Sequence, residues 1–330
     1  MKMRQLGANG PMVSEIGLGC WSFAGAYGPT DEAESHATLT TALDLGIDFL
    51  DTANVYGMGV SEETIGSFIK GDVDKFAIAT KAGIYRDPET KARGFNNSRE
   101  HLTAELDKSL KRLGVDHVAL YYIHRRDPQF EIEDVMETML RFKEQGKIGG
   151  IGFSEISTGS LRRACEAGPV MAVQNEYSLW SRYPDLGMVQ TCKDLGVAFV
   201  PFSPLGRGIF GTKVPDPSAF EKGDFRSNTP RFTEPNFSKN VAKVTEFKAL
   251  AADLGTTSIT LAMAWCLARG DHLFPIPGTR SSEHLRECAA SSDFKMTDQT
   301  MAKIDEVLPV GWAYGDRYTR LQWLGAEGYC

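Results

Sequence analysis

The sequence predicts a parallel (β/α)8 TIM barrel with an N-terminal hairpin, a long loop after the seventh strand and a C-terminal tail. Three observations carry that prediction. Eight short apolar runs alternate with amphipathic stretches, several of which close on Leu-Gly or Gln-Gly, as at Leu113-Gly114 and Gln145-Gly146. Apolar runs of about 4–7 residues without polar alternation belong to strands buried on both faces, which means a parallel sheet covered by helices. The unit recurs every ~25–40 residues, as in a closed barrel with extensions, whereas doubly wound sheets more often stop at roughly five to seven strands. Last, four polar residues of different chemistry stand where early strands stop: Asp51, Tyr56 just beyond it, Lys81 and His124. In such a barrel the C-terminal strand ends point at one spot, so distant residues can form one site.

The elements follow in order. Gly7, Asn9-Gly10 and Pro11 predict a hairpin turn. Strands are read at 16–19, 49–51, 76–80, 118–123, 148–153, 170–174, 197–202 and 273–276. Single helices are read at 31–45, 61–69, 98–112, 131–145, 157–167, 185–195 and 281–290, and more than one helix near 239–268. Ser61 with Glu62 and Glu63 supplies a cap and early acids, as helix starts prefer. Residues 203–238 form a long connection rich in Gly, Pro, Ser and charge, the kind that is either a functional lid or disordered. The tail, 309–330, carries Trp312, Tyr314 and Trp323. It is expected either to dock on the barrel exterior or another subunit of a homo-oligomer, or to form a flap over the site. No Pro/Ser/Gly linker divides the chain, so residues 1–330 are expected to form one domain.

A formal net charge of −7 over 330 residues argues against non-specific nucleic-acid binding. No apolar run approaches the ~18 residues of a membrane span, and the N-terminal Met1-Lys2-Met3-Arg4 lacks a signal segment. Cys20, Cys165, Cys192, Cys266, Cys288 and Cys330 form no C-x-x-C pair, which fits reduced thiols in a cytoplasmic protein and no metal site.

One GxGxxG match, Gly206 to Gly211, follows a strand, but Lys213-Val214-Pro215-Asp216-Pro217 cannot start the helix that a Rossmann motif needs. Those glycines still let backbone approach a phosphate. Pro277-Gly278-Thr279-Arg280-Ser281 ends the eighth strand and opens a helix, where amide groups and Arg280 attract an anion. Barrel enzymes often hold phosphate in these two loops. The four polar strand ends offer acid–base chemistry. A phenol near pKa ~10 donates reluctantly, a neighbouring ammonium lowers it, a carboxylate holds the ammonium, and an imidazole orients a carbonyl. Together they polarise a carbonyl as a hydride arrives.

These residues resemble the aldo-keto reductase superfamily over nearly the whole chain. The carrying segments are Gly46 to Gly57, Ala79-Thr80-Lys81, Tyr121 to His124, Gly150 to Ser154, Val173 to Ser178, Pro201 to Gly208 and Pro275 to Arg280. The Ser203 to Gly208 stretch is similar to the bacterial, plant and channel-β-subunit branches. The resemblance implies NADPH or NADP+ bound extended on the barrel. By matching position, Tyr56 is the general acid, Asp51 and Lys81 its tuning pair, and His124 the substrate orienter. Ser154 and Gln174 hold the nicotinamide carboxamide, with Tyr177 or a neighbour stacking on the ring. Ser203, Leu205, Gly206 and Arg207 line the pyrophosphate; Gly278, Thr279 and Arg280 meet the 2′-phosphate and Glu287 the adenine.

Two positions depart from the pattern. Glu155 replaces a frequent Asn, and an ionised carboxylate accepts but cannot donate. Cys288 replaces a second adenine contact. Trp21, Tyr85 and Arg125 are expected at the substrate, with Arg125 favouring a carboxylate or phosphate or else pairing with Asp127. The expected activity is reduction of a small-molecule aldehyde or ketone. The other reading is a cofactor-binding regulatory or sensor subunit on the same fold.

Overall fold

The computed structural model describes residues 1–87, 89, 90, 92–328 and 330. An antiparallel hairpin of β1 (Met3–Gln5) and β2 (Met12–Ser14) opens the chain. The barrel begins with β3 (Leu18–Gly19), β4 (Phe49–Asp51) and β5 (Ala77–Ala82). A second antiparallel hairpin, β6 (Ile84–Arg86) with β7 (Arg93–Phe95), stands on the loop after β5. The parallel sheet then continues through β8 (Val118–Ile123), β9 (Ile148–Ser154), β10 (Ala172–Gln174) and β11 (Ala198–Phe199).

Residues 273–278 supply the eighth strand and close the barrel. The Phe274 and Ile276 amides donate to the carbonyls of Phe199 and Pro201, while Gly17 and Gly19 donate back to Pro275 and Pro277. The two prolines have no N–H to offer towards β3, so this edge is joined by isolated bridges instead of a full ladder.

Around the sheet lie α1 (Glu32–Asp44), α2 (Val60–Ile69), α3 (Arg99–Leu113), α4 (Ile132–Glu144), α5 (Thr158–Ala167), α6 (Met188–Leu195), α7 (Asn236–Asp253), α8 (Ser258–Leu267), α9 (Ser282–Ala290) and α10 (Asp298–Val307). Several start on the side chains that sequence reading favours as caps: Asp31, Ser98, Ser157, Thr257, Ser281 and Thr297 each accept an amide of the first turn. Helix α2 differs. Its cap is Gly59, and Ser61 lies inside the helix, where its hydroxyl donates to the Cys20 carbonyl at 2.9 Å. The 239–268 stretch is two helices, broken where Gly255 adopts φ +69°; every residue of α8 is buried, and its two hydroxyls, Ser258 and Thr260, donate to the Phe210 and Glu287 carbonyls. The hairpin β6–β7 and α10 are absent from the sequence reading. No single helix among the described residues is long and apolar enough to cross a membrane.

The interior of the barrel is one apolar cluster, distinct from the larger layer between sheet and helices. Leu6 and Val13 of the first hairpin join Phe49, Ala79, Leu120, Tyr122, Ala172, Val200 and Phe274 there. Gly152 makes room for this packing: a Cβ on it would lie 2.4 Å from the Tyr122 ring. This filled floor leaves space only at the C-terminal end.

Candidate active site

Strand alternation aims the polar strand ends into that space. Leu120 and Tyr122 face inward on β8, so His124 does too; Ala79 sets Lys81, Phe49 sets Asp51, and Ala172 sets Gln174. They meet at the bottom of a cavity of about 1300 Å³, lined by Asp51, Tyr56, His124 and Gln174, with Lys81 fully buried beneath. Tyr56 arrives on a short 3-10 turn, Tyr56–Gly59, and stacks on Trp21 with ring centroids 5.8 Å apart.

The contacts form one network. Lys81 Nζ donates to Asp51 Oδ1, to the Thr52 carbonyl at 2.8 Å and to Tyr56 Oη at 3.3 Å. Gln174 Nε2 donates to the other Asp51 oxygen at 2.7 Å. The His124 ring meets Tyr56 edge-on at 5.8 Å, and its Nδ1 is buried without a hydrogen-bond partner among the described residues. Three strand ends, β4 with the turn after it, β5 and β8, thus deliver a carboxylate, a hydroxyl, an ammonium and an imidazole to one point.

Electrostatics assign their protonation. Burial, and then the Asp51 charge, push the Tyr56 phenol well above its ordinary range, with Arg125 opposing. The ammonium expected to lower it does not outweigh them, so the phenol keeps its proton. Burial raises Asp51 and lowers Lys81, each opposed by the partner's charge. His124 lies well below its usual value through burial and the charges of Arg125, Lys81 and Arg93, so it is neutral at physiological pH.

A pH dependence follows. The unfolded chain protonates this histidine near pH ~6.5 and the folded chain does not, so its contribution to stability is present above that pH and lost as pH falls below it. Each unit below it costs roughly tenfold in the folding equilibrium. Urea unfolding at pH 7.5 and 5.5 should show a steeper loss for the wild type than for His124→Gln; parallel losses would contradict the assignment.

The other predicted residues divide. Trp21, Arg125, Ser154, Ser203, Leu205, Arg207, Gly278, Thr279 and Arg280 line the cavity. After β11 the backbone is left-handed at Ser203, Gly206, Arg207 and Gly208, a concave turn of the kind that receives anions and not the start of a helix. The guanidinium of Arg207 is turned to Glu176 at 2.5 Å and the Arg317 carbonyl at 3.1 Å, so it contributes backbone rather than charge to the loop. Arg280 reaches across the mouth to the Gly28 carbonyl at 3.1 Å and to Glu34 at 3.4 Å. Glu287 sits next to the lining residue Cys288, its Oε2 buried without a partner among the described residues. These features fit a phosphorylated dinucleotide.

Three residues are placed elsewhere. Tyr177 does not face the cavity: its ring packs on Phe199 and Trp265 and its hydroxyl donates to Asp185 at 2.5 Å. Phe202, inward at the end of the next barrel segment, lines the cavity instead. Gly206 lies behind the wall, where a Cβ would strike Ile209 and Trp180. Tyr85 is exposed against His101, because alternation on β6 sends Ile84 and Arg86 to the cavity and Tyr85 away. Arg125 donates to Ser154 Oγ at 3.0 Å and forms no ion pair with Asp127, whose carboxylate instead accepts the Gln129 amide at 3.1 Å.

The long loop and the tail both roof the cavity. Phe220, Phe225 and Arg226 come from the first, and Tyr318, Leu321 and Gln322 from the second. Trp312 docks the tail, stacking 6.2 Å from Trp180 and donating to the Leu179 carbonyl. Glu155 turns out to be its anchor. Held at φ 56° and fully buried, it pairs with Arg317 at 2.8 Å and accepts the Glu176 amide.

With this geometry in hand, relatives are identifiable. An aldo-keto reductase from Schizosaccharomyces pombe, named for NADP(+), is 39% identical over 311 residues, covering 93% of this chain and 92% of that one. A probable aldo-keto reductase of Glycine max is 36% identical over 318 residues, covering 95% and 91%. The glycerol dehydrogenase AKR11B4 of Gluconobacter oxydans superposes with TM-score 0.85 at 26% identity, over 96% of this chain and 98% of that one. Residues 15–309 match the profile of the aldo/keto reductase family, and the chain belongs to that family.

Proposed function

We propose that this protein is an NADPH-dependent reductase of aldehydes or ketones in which Tyr56 is the general acid. The observation that carries the reading is the reach of Lys81 Nζ to both Asp51 and Tyr56 Oη at the floor of a cavity that His124 and Gln174 also face. When bound, the reduced nicotinamide supplies the hydride. Neutral His124 hydrogen-bonds the carbonyl oxygen and directs it at Tyr56. The phenol gives its proton to that oxygen, and the Lys81 charge at 3.3 Å stabilises the phenolate left behind. Asp51, itself held by Gln174, keeps the ammonium in place, and the loop and tail line the cavity above it.

Ser154 and Gln174 are suited to the carboxamide, Phe202 to the ring face, the 203–208 turn to the pyrophosphate and Arg280 to the 2′-phosphate. A cytoplasmic setting, a single domain and a small-molecule carbonyl partner belong to the same reading, which the six free and mostly buried thiols favour.

The test is single-turnover oxidation of bound NADPH by 4-nitrobenzaldehyde. Hydride transfer is expected; tight cofactor binding without transfer would replace this reading with the sensor subunit. Arg280→Ala is expected to remove one charge-assisted phosphate contact and reduce the NADPH-over-NADH preference in Kd by roughly tenfold or more. An unchanged preference by fluorescence titration would refute its role.

A further inference from the structure

We propose that Arg125 is a positioning residue: it fixes Ser154 as a hydrogen-bond donor, so that Ser154 and Gln174 receive the nicotinamide carboxamide in one orientation only. The inference rests on the reductase reading and deepens its cofactor site.

Ser154 and Gln174 are register partners at the ends of β9 and β10, and both line the cavity. Neighbouring strands lie ~4.8 Å apart, so one primary amide can touch both side chains. Such an amide offers a carbonyl that accepts and an NH2 that donates. Which end meets which residue depends on the polarity of the two side chains. Gln174 is settled by Asp51: its Nε2 donates to Asp51 Oδ2 at 2.7 Å, which leaves its Oε1 as an acceptor.

Arg125 settles Ser154. A hydroxyl can donate or accept, whereas a guanidinium only donates. Arg125 Nη1 donates to Ser154 Oγ at 3.0 Å, which commits that oxygen as an acceptor on this side. No acceptor for the hydroxyl proton appears among the described residues, so the proton is available to a ligand carbonyl. The same Nη1 donates to the His124 carbonyl at 2.5 Å, and Arg125 is only 7% exposed, so the guanidinium is anchored where it stands. Ser154 therefore donates to the carboxamide oxygen, and Gln174 accepts from the NH2.

Donor geometry, and not unbalanced charge, is what Arg125 contributes. Against burial, Arg317 and then Arg125 draw the Glu155 carboxyl below its usual range, so the two arginines share that counter-charge. Glu155 itself pairs with Arg317 at 2.8 Å and accepts the Glu176 amide, which withdraws its side chain from the carboxamide. The departure at Glu155 and the anchoring by Arg125 thus belong together. One side-chain contact is lost beside Ser154, and the serine that remains is locked in one polarity.

The experiment is fluorescence titration with NADP+ and with 2′-phospho-ADP-ribose, the same molecule without its nicotinamide. The wild type should bind NADP+ more tightly than the fragment. Arg125→Met should weaken NADP+ about fivefold, within the range of one hydrogen bond, and leave the fragment within about twofold. Equal weakening of both, or of neither, would overturn the proposal, since a merely structural arginine moves the two together. Ser154→Ala leaves Arg125 in place and decides the polarity by itself. It should weaken NADP+ and its 3-acetylpyridine analogue, which keeps the carbonyl but lacks the NH2, by the same factor. No loss with either, or a loss confined to NADP+, would overturn the proposal whether or not Arg125→Met folds. A wild type that binds NADP+ yet transfers no hydride would sink the reductase reading alone, because the titrations still decide this one. A wild type that binds no NADP+ would sink both.

Discussion

Tyr56→Phe is expected to reduce carbonyl turnover by about 10²–10⁴-fold, the range that a positioned general acid contributes, while leaving NADPH affinity as it was. The substitution keeps the ring that stacks on Trp21 and meets His124, so the shape of the cavity floor persists. It removes the single O–H that Lys81 approaches at 3.3 Å. No neighbour replaces it. Lys81 is fully buried and already shared with Asp51 and the Thr52 carbonyl, and His124 is held neutral by burial and three nearby cations. Because burial and Asp51 hold the phenol well above its usual range, the wild-type acid stays protonated throughout the neutral region. Stopped-flow NADPH oxidation reads the chemical step and protein fluorescence reads cofactor binding. A variant rate within a few-fold of wild type would refute Tyr56 as the acid. Loss of cofactor affinity along with rate would show a collapsed site instead.

The parts of this site that lie on strands were legible because strand geometry is local. The run Val118 to Ile123 predicts β8 residue for residue, and counting by two from Leu120 already points His124 inward. The same count, applied from Gln174, separates it from Tyr177, whose ring belongs to the helix side. That signal was present, and the expected stacking role overrode it. The closing strand is legible in the sequence despite its bridges, since Pro275 and Pro277 remove donors without changing the path of the chain. What stayed hidden is non-local. Nothing in the sequence near Gly83 announces that the chain folds back into β6–β7, so the choice between Tyr85 and its neighbours as lining residues was open. Glu155 read as a departure from a cofactor contact, because its partner Arg317 lies 162 residues away and no local pattern links them. The tail admitted two readings for the same reason, and its buried ion pairs and lining residues place it over the cavity.

Arg317→Ala is expected to destabilise the fold by about 3–5 kcal/mol, lowering the melting midpoint by roughly 4–7 °C. The guanidinium is buried between Glu155, at 2.8 Å, and Glu176, at 3.5 Å, and it lies 4.6 Å from the ring of Tyr318 and 4.5 Å from that of Trp323. Arg207 shares Glu176 and donates to the Arg317 carbonyl, so the tail and the 203–208 turn meet in one charge network. Burial alone would raise both carboxyls. Arg317 with Arg125 outweighs it at Glu155, and Arg207 with Arg317 and Arg231 does so at Glu176, so both lie below their usual range. Their contribution to stability is therefore present above the unfolded value near pH ~4.3 and lost as pH falls through the lower folded values. Removing Arg317 strands Glu155 as an uncompensated buried charge, which is where most of the loss arises. Two readouts distinguish this from a simple packing defect. The gap between wild type and variant should narrow in thermal melts as pH approaches 4, because a protonated Glu155 no longer needs the cation. Glu155→Gln/Arg317→Met should lose clearly less than the sum of its single changes, the mark of directly coupled residues. A pH-independent gap and additive losses would show that Arg317 acts by filling space alone. If the ion pair is the clasp, the single variant should also raise KM for the carbonyl substrate, since Tyr318, Leu321 and Gln322 reach the cavity only while the tail is held down.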